Sequence, residues 1–122
     1  GVAIVGISHF GTFLKNTEDY RRDLRRAEYG DERDPAMAAL FERISPLNSA
    51  GRITSRLFVA QGRNDPRVPW TESEQIVKAV RANGQPVWYL LFNDEGHGFR
   101  KKANSDYFGA ATILFWQQHL LQ

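Results

Sequence analysis

The 122-residue sequence contains no cysteine and a single methionine, and its charges nearly cancel, 16 Lys and Arg against 14 Asp and Glu. Without a thiol there can be no disulfide framework, no thiolate metal site and no cysteine nucleophile. A net charge of +2 carries no field suited to a polyanion, which argues against a nucleic-acid partner. The densest basic stretch, Arg21-Arg22-Asp23-Leu24-Arg25-Arg26, has Glu18, Asp19 and Glu28 beside it, the pattern of a solvated, salt-bridged helix face. Long hydrophobic runs are missing too. The longest, Val2 to Ile7 and Val87 to Phe92, fall far short of the roughly 20 residues that a membrane-crossing helix needs. Neither an internal repeat nor a low-complexity linker divides the chain.

What is present describes one folded unit over residues 1–122. With 42% hydrophobic and 25% charged residues, the composition is that of a chain able to bury a core, and the length allows one core but not two. Val2 to Ile7 is a short β-branched run that suits a strand buried on both faces. The sequence opens directly on that pattern, with no initiator Met or signal segment ahead of it, as a piece of a longer chain would. From Asn16 to about Tyr29 a polar helix is expected, with Tyr20, Leu24 and Ala27 on one narrow stripe and Gly30 to end it. Asp34-Pro35 announces another helix, whose Met37, Leu40, Phe41 and Ile44 share a face and which Pro46 stops.

Leu57-Phe58-Val59-Ala60, followed by Gly62, reads as a second buried strand. Thr71-Glu72-Ser73-Glu74 has the form of a capping box and leads into Ile76, Val77 and Val80, with Asn83-Gly84 as the stop. Val87 to Phe92 makes a third strand. The last helix is expected from about Ser105 to Leu121, with Phe108, Ala111, Leu114, Phe115 and Leu121 toward a core. Strands separated by helices at this spacing predict an α/β fold of about three parallel strands with flanking helices.

In such sheets chemistry gathers in the loops beyond the carboxyl ends of the strands. Two of those loops carry suggestive residues: Gly62-Arg63-Asn64-Asp65-Pro66-Arg67-Val68-Pro69 and Asp94-Glu95-Gly96-His97-Gly98-Phe99. A carboxylate and an imidazole projected from neighbouring loops can act as orienter and base of a hydrolytic triad. Asp65 is preferred to Asp94 and Glu95 as the orienting acid, because carboxylates so near His97 in the chain are usually solvated or paired with Arg. Asp65 also reads as turn chemistry, in Asn64-Asp65-Pro66, when taken without His97. His9 and His119 have no His or Cys at ligand spacing, so no metal site is expected, and His119 suits the C-terminal end of a helix dipole. Trp70, Trp88 and Trp116 are read as core or interface residues.

Ser45-Pro46-Leu47, the strand Leu57 to Gly62, Asn64-Asp65-Pro66-Arg67-Val68-Pro69 and Glu95-Gly96-His97-Gly98-Phe99, in that order and spacing, resemble the C-terminal part of the catalytic domain of the prolyl oligopeptidase family. The dipeptidyl- and acylaminoacyl-peptidase-like branches are the nearest. The resemblance runs over essentially the whole chain and implies the C-terminal portion of an α/β-hydrolase fold. It implies a serine-type peptidase that works through an acyl-enzyme and needs no cofactor, with Asp65 as triad acid and His97 as general base. Arg67 is implied as a contact to a substrate carbonyl, with a structural ion pair as its other reading.

The family's G-x-S-x-G nucleophile elbow is absent. The near miss is Gly6-Ile7-Ser8-His9-Phe10-Gly11, where Phe10 stands in the second glycine's place, so Ser8 is read as an ordinary loop serine. The nucleophile is then expected upstream of Gly1, and the isolated chain is expected to be inactive. An esterase-like hydrolase and a non-enzymatic α/β binding module remain open as alternatives, the second requiring Asp65 and His97 to lie beyond hydrogen-bond reach. A peptide substrate is the expected partner of the whole enzyme. An unpaired edge along Val2 to Ile7 predicts self-association of this chain.

Overall fold

A computed structural model describes residues 1–121. Three parallel strands, β1 (Val2–Ile4), β2 (Leu57–Gly62) and β3 (Val87–Phe92), lie in the order β1-β2-β3. Val2 stands opposite Phe58, and Leu57 through Gly62 stand opposite Val87 through Phe92. The helices are α1 (Phe10–Asn16), α2 (Asp19–Tyr29), α3 (Pro35–Ile44), α4 (Thr71–Ala82) and α5 (Lys102–His119), with a 3₁₀ helix at Pro46–Arg52. The expected α/β architecture is therefore present.

Alternation along β2 explains why the sheet is covered on both faces. Val59 points into a cluster with Val77 and Val80 of α4 and with Ala50 and Val87. Its neighbour Phe58 points the other way, where it meets Trp88, Phe108 and Phe115 at ring separations of 5.7–5.8 Å. Phe58 and Phe115 are each 1% exposed, and burying such a ring contributes about 2–3 kcal/mol. A second cluster of Phe13, Leu14, Phe41 and Val68 joins α1 and α3 to the loop after β2.

Several boundaries depart from the expectation. The first strand ends at Ile4 rather than Ile7 because Val5 takes φ +49°, a left-handed conformation that costs a β-branched residue and cannot continue a strand. The helix expected from Asn16 to Tyr29 is α2, which starts at Asp19, and it is preceded by an unanticipated helix, α1, started by His9, whose Nδ1 accepts from the backbone N–H groups of Gly11 and Thr12. Tyr20 and Leu24 are exposed, since α2 buries no residue at all. Ile44 is likewise exposed. Asp34 does cap α3, accepting from Ala36 N at 2.8 Å.

The capping box at Thr71 does not form, because Trp70 holds the N-cap position without a side-chain bond and Thr71 is already the first residue of the helix. The last helix begins at Lys102, three residues before the expected start, and Leu114 and Leu121 are exposed rather than in the core. Trp88 is half-buried against Phe115 and His119, and Trp70 lies under the Arg63 guanidinium at 4.7 Å. Among the described residues, no helix is long and apolar enough to cross a membrane.

Candidate active site

The site grows from the carboxyl ends of β2 and β3, where pairing continues past the strands. Arg63 N donates to Phe92 O and Asn64 N to Glu95 O, each at 2.9 Å. These bonds hold the two loops in register. They need a close approach, for a Cβ on Gly62 would lie 2.1 Å from the Gly96 carbonyl oxygen and 2.6 Å from that of Glu95. Only glycine allows the loops to meet there. Beyond this contact the chain turns tightly about His97, with Gly98 N donating to Gly96 O at 3.0 Å and Gly98 at φ +116°.

The turn delivers the imidazole to Asp65. His97 Nδ1 lies 2.8 Å from Asp65 Oδ2, and the Asp65 side chain has no solvent exposure while that of His97 is 32% exposed. An ionised carboxylate can only accept, so Nδ1 carries the proton and donates it. Asp65 Oδ1 accepts from Arg67 N at 2.8 Å and Val68 N at 3.0 Å, an Asx turn closed by the residues after Pro66. Oδ2 also accepts from Gln61 Nε2 at 3.2 Å. Among the described residues no side chain bonds to His97 Nε2, which leaves that nitrogen as a free acceptor. The arrangement supplies an oriented, half-exposed base next to a depression of about 410 Å³, lined in part by Arg67, Gly96, His97 and Arg100.

The other candidates are placed as follows. Glu95 is buried and turned away from the imidazole, its carboxylate accepting from Arg100 N, Lys101 N and Asn104 Nδ2. Burial opposes its ionisation, but the Asn104 amide and the two backbone N–H groups outweigh that and hold its pKa below the usual carboxylate value. Asp94 is likewise held low by Lys101 Nζ at 2.8 Å, helped by Asn104. Arg67 is exposed on the lip of the depression and makes no ion pair among the described residues. Among those residues no cluster of three or more potential ligands could hold a metal ion.

Ser8 is 3% exposed, and its hydroxyl donates to the Glu72 carbonyl oxygen at 2.7 Å. Its partner Glu72 is a feature that sequence reading missed. This fully buried carboxylate accepts from Ser8 N, His9 N, Thr12 Oγ1 and Gln75 Nε2, fastening the β1–α1 loop to α4. The capping-box pattern masked it. Gln61 was missed as well, although an amide at the end of the apolar run Leu57-Phe58-Val59-Ala60 was a visible irregularity.

Comparison with known proteins bears on what this pair belongs to. Dipeptidyl aminopeptidase BIII of Pseudoxanthomonas mexicana is 42% identical over 123 aligned residues, covering 98% of this chain and 18% of that protein. Dipeptidyl peptidase family member 6 of Caenorhabditis elegans is 40% identical over 109, covering 86% of this chain and 15% of that protein. The chain thus spans less than a fifth of the curated relatives it matches. A puromycin-hydrolysing peptidase of Mycobacterium tuberculosis superposes with a TM-score of 0.87 at 32% identity, over 98% of this chain and 18% of that one. Acylaminoacyl peptidase of Pyrococcus horikoshii, 18% identical, shares the fold with a TM-score of 0.84 over 100% of this chain and 20% of its own. The sequence pattern of the prolyl oligopeptidase family matches residues 1–122, so the chain belongs to that family.

Proposed function

We propose that these 122 residues are the acid-and-base portion of a serine peptidase that cleaves short peptides through an acyl-enzyme. The reading rests on one observation, the 2.8 Å bond from His97 Nδ1 to a carboxylate with no solvent exposure, with Nε2 left free. The nucleophilic serine and the oxyanion hole come from parts of a longer protein outside this chain. His97 Nε2 takes the serine proton as Oγ attacks the scissile carbonyl carbon, and Asp65 stabilises the resulting imidazolium. The same proton then passes to the departing amine. Water, deprotonated by His97, hydrolyses the acyl ester and regenerates the serine.

Arg67 belongs to substrate binding in this reading. Its exposed guanidinium lies on the lip of the depression beside His97, within reach of a peptide carbonyl. The names of the relatives, a dipeptidyl aminopeptidase and a dipeptidyl peptidase among them, favour peptide over ester substrates. Alone, the chain forms no acyl-enzyme, since the serine nearest to an elbow pattern, Ser8, has its hydroxyl bound to Glu72 O.

The test is fluorophosphonate labelling and peptide hydrolysis by this chain and by the longer peptidase. Only the longer protein is expected to label and turn over. His97→Ala abolishes both, and Asp65→Asn lowers kcat by about 10⁴-fold. Arg67→Ala raises KM with kcat retained. Labelling of the short chain at Ser8, or full activity of the His97→Ala enzyme, overturns the proposal.

A further inference from the structure

Asp65 is not the end of the chain of contacts that orients His97. Gln61, the fifth residue of β2, has 0% exposure although its strand is otherwise apolar apart from the final glycine. A buried amide is costly unless its donors and acceptor are all matched, and here they are. Nε2 lies 3.2 Å from Asp65 Oδ2, 3.1 Å from Gly62 O and 3.4 Å from Val68 O, while Oε1 accepts from the Ser73 hydroxyl at 2.9 Å. Turning the amide over would set its oxygen against three other oxygens, so its orientation is dictated by its neighbours. Ser73, 1% exposed in the first turn of α4, ties Gln61 to the helix that follows the Asp65 loop.

The consequence lies in how the Asp65 carboxylate is held. Two backbone amides hold Oδ1, while among the described residues Oδ2 has two donors, the imidazole it must orient and the Gln61 amide. The Oδ1 bonds set the carboxylate roughly, and among the described residues Gln61 is the one group besides His97 that holds Oδ2 directly. Methionine would fill nearly the same volume with no polar atom to satisfy, so what Gln61 adds at this place is direction rather than packing.

We infer that Gln61, clamped by Ser73, is a positioning residue that fixes Asp65 Oδ2 and, through it, the plane of the His97 ring. This rests on the proposed catalytic role of the Asp65–His97 pair. The experiment uses the longer peptidase with Gln61→Met, Ser73→Ala, the two combined, and Gln61→Met in the Asp65→Asn background, folding being followed by circular dichroism.

Gln61→Met is expected to lower kcat on the order of tenfold, the scale of a slightly misplaced catalytic group, with KM unchanged. It should also shift the downfield NMR resonance of the proton between His97 and Asp65. Ser73→Ala has a smaller effect of the same kind, adds nothing once Gln61 is replaced, and stands as the test should Gln61→Met not fold. In the Asp65→Asn background Gln61→Met costs no further activity. Wild-type kcat in Ser73→Ala and in any folded Gln61→Met, or a double variant losing the product of the single losses, overturns the inference. If Asp65→Asn itself keeps full kcat, the role of the pair fails instead, so the two failures are distinguishable.

Discussion

Gly62 shows how one missing methyl group permits the site. Its Cα faces backbone carbonyls rather than side chains, and a Cβ 2.1 Å from Gly96 O has no flexible neighbour to push aside. Gly62→Ala must therefore separate the Asp65 and His97 loops or bend β2. A loss of about 2 kcal/mol is expected from such overpacking, read as a lowered urea midpoint. A midpoint unchanged from wild type would mean that the loops separate without cost. At this scale the sequence was legible where a contact follows from neighbouring loops, as for the meeting of Asp65 with His97. It was opaque where a polar side chain serves a buried contact distant in the chain. Glu72 meets Ser8 across 64 positions, and no local period encodes that partnership.

Among the elements, β2, β3 and α3 were legible because apolar period and punctuation agreed, and α4 because its apolar period and its Asn83-Gly84 stop outweighed a start signal that does not form. The misreadings have local causes: an unforeseen left-handed Val5 shortened β1, and a histidine cap, outside the usual Ser, Thr, Asp and Asn, hid the start of α1. The early start of α5 has a different origin. Glu95 reaches forward to accept from Arg100 N and Lys101 N, the amides just before the helix, and Asn104 Nδ2 donates to the same oxygen as Lys101 N. Because the folded pKa of Glu95 is depressed, its contribution is fully present above the unfolded value of about 4.3. It is lost as pH falls through the lower folded value. Glu95→Gln should thus melt earlier than wild type at neutral pH, and the gap should close as pH falls below the ordinary carboxylate range. A gap independent of pH in thermal melts would show that the charge does not hold the helix start.

For the molecule as a whole, part of the near balance of charge is carried by local pairs, such as Arg22 with Asp19 and Arg26 with Glu32. The sheet is less self-contained. Among the described residues β1 pairs only with β2, Ile4 is 45% exposed, and an apolar groove of about 220 Å³ lined by Ala3, Ile7, Leu57 and Ile76 lies close by. Unpaired backbone beside apolar surface is a template for another strand. We therefore expect the 122-residue chain to self-associate through β1. Three residues offer few ladder bonds, so the association should be weak and visible as a mass that climbs with concentration in light scattering. Ile4→Lys places a charge on that edge and should return the chain toward monomer. A monodisperse monomer over a wide concentration range would show that so short a strand protects its own edge, and equal association of the Ile4→Lys chain would move the contact to another surface.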